Sequence, residues 1–271
     1  MLKKKSTPIL YKALPVSILL VLIKIFILSR FESDGHGFNA LIESSDINIV
    51  FTGAFFVIGM LLAGTMTDFK EGEKIPGEIA SNLEAIQDWI MLAFSAPRSG
   101  TNDLSKEPLN KKYLKDTLCD VTDNIILWFS SKQKDSKVIF PELRKINGLA
   151  YYFAERGADK EAIKGIQENT NAMRKQLTRA YTIARNNFVA PAYTLLKSIL
   201  TVISLLLLIT KFKTPMADIS ITLCLSFVFF YMYHLITGLD DPFDIGAGDT
   251  EVDLKAIERF KIRLDDSFLS D

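Results

Sequence analysis

Two cysteines and two histidines are all that this chain offers to thiol, imidazole or transition-metal chemistry. Cys119 lies in a charged segment and Cys224 in an apolar one, and His36 and His234 are equally far apart, so neither a disulfide framework nor a metal-ligand spacing can be built from them. Charge of one sign is also missing. Lys and Arg number 32 and Asp and Glu 32, which leaves no net field to favour a nucleic acid as partner. The short motifs of catalysis are absent as well: no G-x-S-x-G, P-loop or H-E-x-x-H occurs. Glu71 and Glu73 stand two apart, so on a helix they point to different faces and form no carboxylate dyad. The expectation is therefore not an enzyme, and no cofactor is implied.

What the chain does have is long apolar runs. A spanning helix needs roughly 20 mostly apolar residues to cross about 30 Å of hydrocarbon. Ile9 to Leu28, Ile47 to Met66, Val189 to Thr210 and Ile219 to Leu239 meet that length. In lipid every backbone polar group must be bonded within the protein, which selects helices. Ile9 to Leu28 is too long for a signal-peptide core and no small-x-small cleavage site follows, so it reads as a retained first span. It carries Lys12, which can snorkel to the interface, and Lys24, which must reach the far side or face protein. Lys197 is the single charge in the other three runs.

Lys and Arg in short loops set orientation. Lys3, Lys4 and Lys5 hold the N-terminus in the cytosol, whereas the loop from Phe31 to Asp46 carries Glu32, Asp34, Glu43 and Asp46 and belongs outside. Lys211 and Lys213 in the turn between the last two runs oppose this assignment, but the tail and the longer loop outweigh them. Both termini then lie in the cytosol of a multi-pass cell-membrane protein. The expected organisation is a transmembrane pair over 1–66, a cytosolic helical domain over 67–188, a second transmembrane pair over 189–239 and a cytosolic tail over 240–271.

The cytosolic stretch is patterned as amphipathic helices throughout. Ile75, Ile79, Leu83, Ile86 and Ile90 repeat at helical spacing and continue the second span. A break rich in Pro, Gly and Ser follows from Ser95 to Asn110. Leu114, Leu118, Val121, Ile125 and Trp128 mark a second helix. A third is expected after Pro141, stopped by Gly157, and a fourth starts near Asp159. These stripes read as core faces. Nothing strand-like appears, so the fold class is all-α.

Two places can carry function. The second span is rich in small or weakly polar residues, Thr52, Gly53, Gly59, Ala63, Gly64, Thr65 and Thr67. Small residues in membrane helices ordinarily mark close packing. Asn48, Thr52, Phe56 and Met60, however, are spaced four apart and share one face. Repeated around a symmetric ring, that face makes a polar mouth above a narrow apolar constriction, which can gate by dewetting. The second place is the acidic cluster Asp240, Asp241, Asp244 and Asp249, whose oxygens suit calcium. The plainer reading, which we favour, is that Asp241 caps a helix starting at Pro242.

Two stretches resemble bestrophins. One is Phe56-Val-Ile-Gly-Met-Leu-Leu running on to Thr67-Asp-Phe-Lys-Glu-Gly-Glu-Lys-Ile-Pro-Gly77; it is similar to the family's second span and its exit. The other is Leu239-Asp-Asp-Pro-Phe-Asp244, then Asp249 and Val252-Asp-Leu-Lys-Ala-Ile257, which resembles the stretch after the last span. The order of parts agrees over nearly the whole chain, the motifs over about 40 residues. The resemblance implies a homopentameric channel in the lipid bilayer, conducting monovalent ions through one central pore: chloride-type anions in animal members, monovalent cations in some bacterial ones. Carried over, its hydrophobic neck falls on Thr52, Phe56 and Met60, with Asn48 at the mouth, and its cytosolic aperture on Phe188. Thr52 stands where the family has a bulky apolar residue, and Asp68-Phe69 where it has Arg and Trp. Ile245, Gly246, Ala247 and Gly248 dilute the acidic run of calcium-activated members, so calcium-independent opening is expected. A membrane-anchored scaffold, whose cytosolic helices bind a partner, is the rival reading; a secondary transporter stands third.

Overall fold

The computed structural model describes residues 9–33, 44–95, 109–185, 190–212, 214–240, 242–244 and 251–267. Among these residues all regular structure is helical: α1 (Ile9–Ser33), α2 (Ser44–Ser95), α3 (Lys111–Ser130), α4 (Ser136–Glu155), α5 (Lys160–Arg185), α6 (Ala190–Ile209), α7 (Pro215–Leu239) and α8 (Lys255–Ser267). Four of them, α1, α2, α6 and α7, are long and apolar enough to cross a membrane. The chain divides into two compact units. The first comprises 1–69, 186–242 and 246–250; the second 70–185, 243–245 and 251–271.

In the apolar unit, α1 packs along α7, and α6 packs against both. Ile47, Phe51, Ala54 and Ile58 of α2 join Leu196, Leu200, Ile203 and Leu207 of α6 and Phe229 and Ile236 of α7 in one cluster. Phe55 stacks on Phe229 at 4.4 Å between ring centroids, close enough for an attraction beyond simple burial. The fourth apolar helix begins at Pro215, four residues before the expected start. Thr214 caps it, its hydroxyl accepting the Ala217 N–H at 3.2 Å, and Pro215 takes the first helical position, where no N–H is needed. That shift brings Asp218 inside the helix.

Helix α2 has 52 residues, about 78 Å at 1.5 Å per residue, far more than about 30 Å of hydrocarbon requires. Its polar continuation belongs to the second unit, where Ile75, Ile79, Leu83, Ile86 and Ile90 are buried. There α4 packs on α3 and α5, and α8 on α3 through a stripe of Ile257, Phe260 and Leu264. Each such side chain contributes roughly 1.5–3 kcal/mol when fully buried. The helix expected after Pro141 begins instead at Ser136, because Asp135 is its cap and accepts the Lys137 N–H at 2.8 Å. Gly157, at φ 66°, ends the chain of helical residues in the left-handed conformation that glycine adopts without strain. No helix starts at Pro242. Pro242 and Phe243 form a turn, and the next helix among the described residues, α8, begins at Lys255.

Candidate functional site

Helix α2 has two unlike faces within the apolar unit. Ile47, Phe51, Ala54, Ile58 and Thr65 are buried. Asn48, Thr52, Phe56 and Met60 are exposed, Phe56 at 73 % and Met60 at 66 %. Four-residue spacing puts them along one side of the helix, away from the cluster that α2 shares with α6 and α7. The Thr52 hydroxyl donates to the Asn48 carbonyl at 2.8 Å, so this threonine meets its own hydrogen-bonding need without a partner helix. The resulting strip offers an amide and a hydroxyl, then two large apolar side chains. None is charged.

The small residues beside the strip are not used up inside the chain. Among the described residues, a methyl group built on Gly53, Gly59 or Gly64 would meet no side chain and no other helix within 4 Å. Gly53 instead borders an open apolar groove of about 370 Å³ between α2 and α6, with Val50, Ala54, Val57, Ser198, Ile199, Val202 and Ile203. Close packing of these glycines against the chain's own helices, the plainer reading of their presence, is not what the fold uses them for. Lys197 is exposed on α6.

The acidic cluster is only partly within the described residues. Asp240 is the C-cap of α7, and its carboxylate accepts the Tyr193 hydroxyl at 2.6 Å, tying the end of α7 to α6. Asp244 is exposed. Asp241 and Asp249 lie outside the described residues, as does Phe188, the candidate aperture. Among the described residues no three His, Cys, Asp or Glu side chains come together as a metal site would require.

The sequence reading missed one polar constellation. Lys24 is only 2 % exposed, and its ammonium donates to Asp218 Oδ1 at 2.9 Å and to the Thr222 hydroxyl at 2.8 Å. The Phe212 ring lies 5.2 Å from the same nitrogen, and the Phe212 N–H donates to Asp218 Oδ1 at 2.9 Å. One carboxylate thus joins α1 to the turn before α7. The signal was available: Lys24 needs a partner in an apolar helix, and Asp218 is the one acidic residue of α7.

Several solved structures share this architecture. A crystal structure of a membrane protein superposes with TM-score 0.69 at 11 % identity, covering 97 % of this chain and all of that one. A bacterial Bestrophin homolog from Klebsiella pneumoniae does so with TM-score 0.68 at 11 % identity, over 96 % of this chain and 100 % of that one. The same homolog, phased on zinc, gives TM-score 0.67 at 11 % identity over 96 % and 99 %. The fold is bestrophin-like. No family model matches the chain, and no curated protein matches it in sequence. At such low identity the likeness rests on the path of the backbone, and the bestrophin-like course of α2 is what gives its bare face interest.

Proposed function

We propose that this chain is one subunit of a bestrophin-like ion channel, a homopentamer crossing the cell membrane four times per subunit with both termini in the cytosol. Residues 67–188 then form a helical cytosolic body. Five copies of α2 stand around one axis, with Asn48 at the mouth, Thr52, Phe56 and Met60 as the neck and Phe188 at the cytosolic aperture. The observation supporting this reading is that α2, in a bestrophin-like fold, leaves bare a face that places two polar side chains before two large apolar ones. Brought together fivefold, such a face is a wet entrance leading to a constriction that conducts or closes according to whether water fills it.

The permeant species are small monovalent ions. With no charge in the neck, the sign of the ion is chosen elsewhere along the path. Opening requires no calcium, since the acidic run after α7 is interrupted by Ile245, Gly246, Ala247 and Gly248. Planar-bilayer recording of the purified protein under a salt gradient tests the proposal. Phe56→Ala should raise unitary conductance by removing the bulk of the constriction, and the reversal potential reports the sign of the carrier. Unchanged current in Phe56→Ala removes the neck assignment. A protein found only as monomer or dimer by native mass measurement, with no flux, supports the anchored scaffold instead.

A further inference from the structure

Lys134 lies in the turn between α3 and α4, and its ammonium is ringed by main-chain oxygens. It donates to the Phe129 carbonyl at 2.9 Å, to the Phe243 carbonyl at 3.2 Å and to the Ser131 carbonyl. Lysines that bond the last carbonyls of a helix are common, since those oxygens have no partner of their own and the helix end is negative. That accounts for Phe129 and Ser131 at the end of α3. It does not account for Phe243, which is 109 residues further along. Three carbonyls from two distant segments, converging on one cation, resemble the way a protein holds a free metal ion; here the cation is covalently supplied.

Phe243 is 4 % exposed, with its ring 5.3 Å from that of Phe129. The turn offering the lysine is itself fixed, because the Trp128 indole N–H donates to the Asp135 carbonyl at 2.9 Å. Only Asp240, Asp241 and Pro242 separate Phe243 from Leu239, the last residue of α7. We propose that Lys134 is a latch: its ammonium pins the chain leaving α7 to the α3–α4 turn, and opening the latch changes ion flow through the channel. The second half rests on the channel reading above; the first does not.

Limited proteolysis of the full protein reads the latch directly, because chymotrypsin cleaves after phenylalanine and Phe243 is buried. Lys134→Met, which keeps the stem and removes the charge, should speed cleavage at Phe243–Asp244 at least tenfold. Cleavage after Phe153, in the core of the same unit, should stay at the unsubstituted rate. Cleavage at Phe243 as slow as in the unsubstituted protein overturns the proposal, for then the ammonium is not what holds the segment. Should Lys134→Met also expose Phe153, Lys134→Arg takes its place. Arginine keeps a cation at the end of α3, but its planar fork cannot aim three donors at one converging set. Faster cleavage at Phe243 alone then supports the latch, and the original rate overturns it. Flux unaltered by a variant that opens the latch overturns the coupling; an unsubstituted protein with no flux defeats the channel reading and leaves the proteolysis result standing.

Discussion

The two units of this chain handle charge in opposite ways. In the apolar unit Lys24 and Asp218 form an ion pair with side chains 2 % and 5 % exposed. In the polar unit, Lys145 bonds Asp120 at 2.6 Å and Glu142 at 2.7 Å with the lysine 42 % exposed, and Arg179 pairs with Glu71 with both sides 44 % exposed. The geometry is as good in the second set as in the first, but water is at hand only in the second. A buried charge without its partner has nowhere to go, whereas an exposed one is rehydrated. The comparison teaches that Lys24 and Asp218 must be kept or lost together, while the polar unit is held by its apolar stripes and could lose any one surface pair.

The sharpest way to break that comparison is to remove one partner. Lys24→Met leaves Asp218 buried beside an apolar group and should cost about 3–5 kcal/mol. The double variant Lys24→Met/Asp218→Leu should regain most of it, because no orphaned charge remains. Thermal unfolding in detergent checks both, and a single variant no worse than a surface substitution would end the argument. A smaller loss is expected from packing in the polar unit. A Cβ at Gly165 would overlap the Trp89 indole, so Gly165→Ala forces the ring aside and should cost about 1–3 kcal/mol. If Trp89→Leu in the same background does not recover stability, the indole is not the obstacle.

The smallest effect belongs to Lys145→Met, about 0.2–1 kcal/mol at low salt and less at high salt. Its hydrogen bond to Asp120, and then that to Glu142, raise the Lys145 pKa above the ordinary lysine value. A group whose pKa is raised by folding contributes fully below its unfolded value and loses the contribution as pH climbs through the folded one. Stability should therefore show no Lys145-dependent change from neutral to mildly alkaline pH and decline only beyond the lysine range. A difference between Lys145→Met and the unsubstituted protein that fades between neutral and mildly alkaline pH would contradict the assignment.

Much of this was open to reading along the chain. Apolar runs of spanning length marked α1, α2, α6 and α7, and the isoleucines from Ile75 to Ile90 carried α2 beyond the bilayer's thickness. What misled was local. Pro141 advertises a helix start, although Asp135 caps α4 ahead of it; Asp241 advertises a cap, although the chain turns at Pro242–Phe243. A proline and an acidic residue advertise helix starts equally well, and only the cap's hydrogen bond decides between neighbouring candidates.

Composition and period by themselves marked α1 to α7 as helices but not α8, and determined which are apolar enough for lipid and that Asn48, Thr52, Phe56 and Met60 share a side, because those properties depend on residue spacing of 3.6 per turn and on length. Tertiary structure alone decided which side of α2 is spent on the chain's own core, that a methyl group on Gly53, Gly59 or Gly64 would find room beside the described residues, and that Lys24 finds Asp218 nearly two hundred residues away. Such pairings are chosen by how helices pack, and packing energy is summed over surfaces that no single stretch of chain contains.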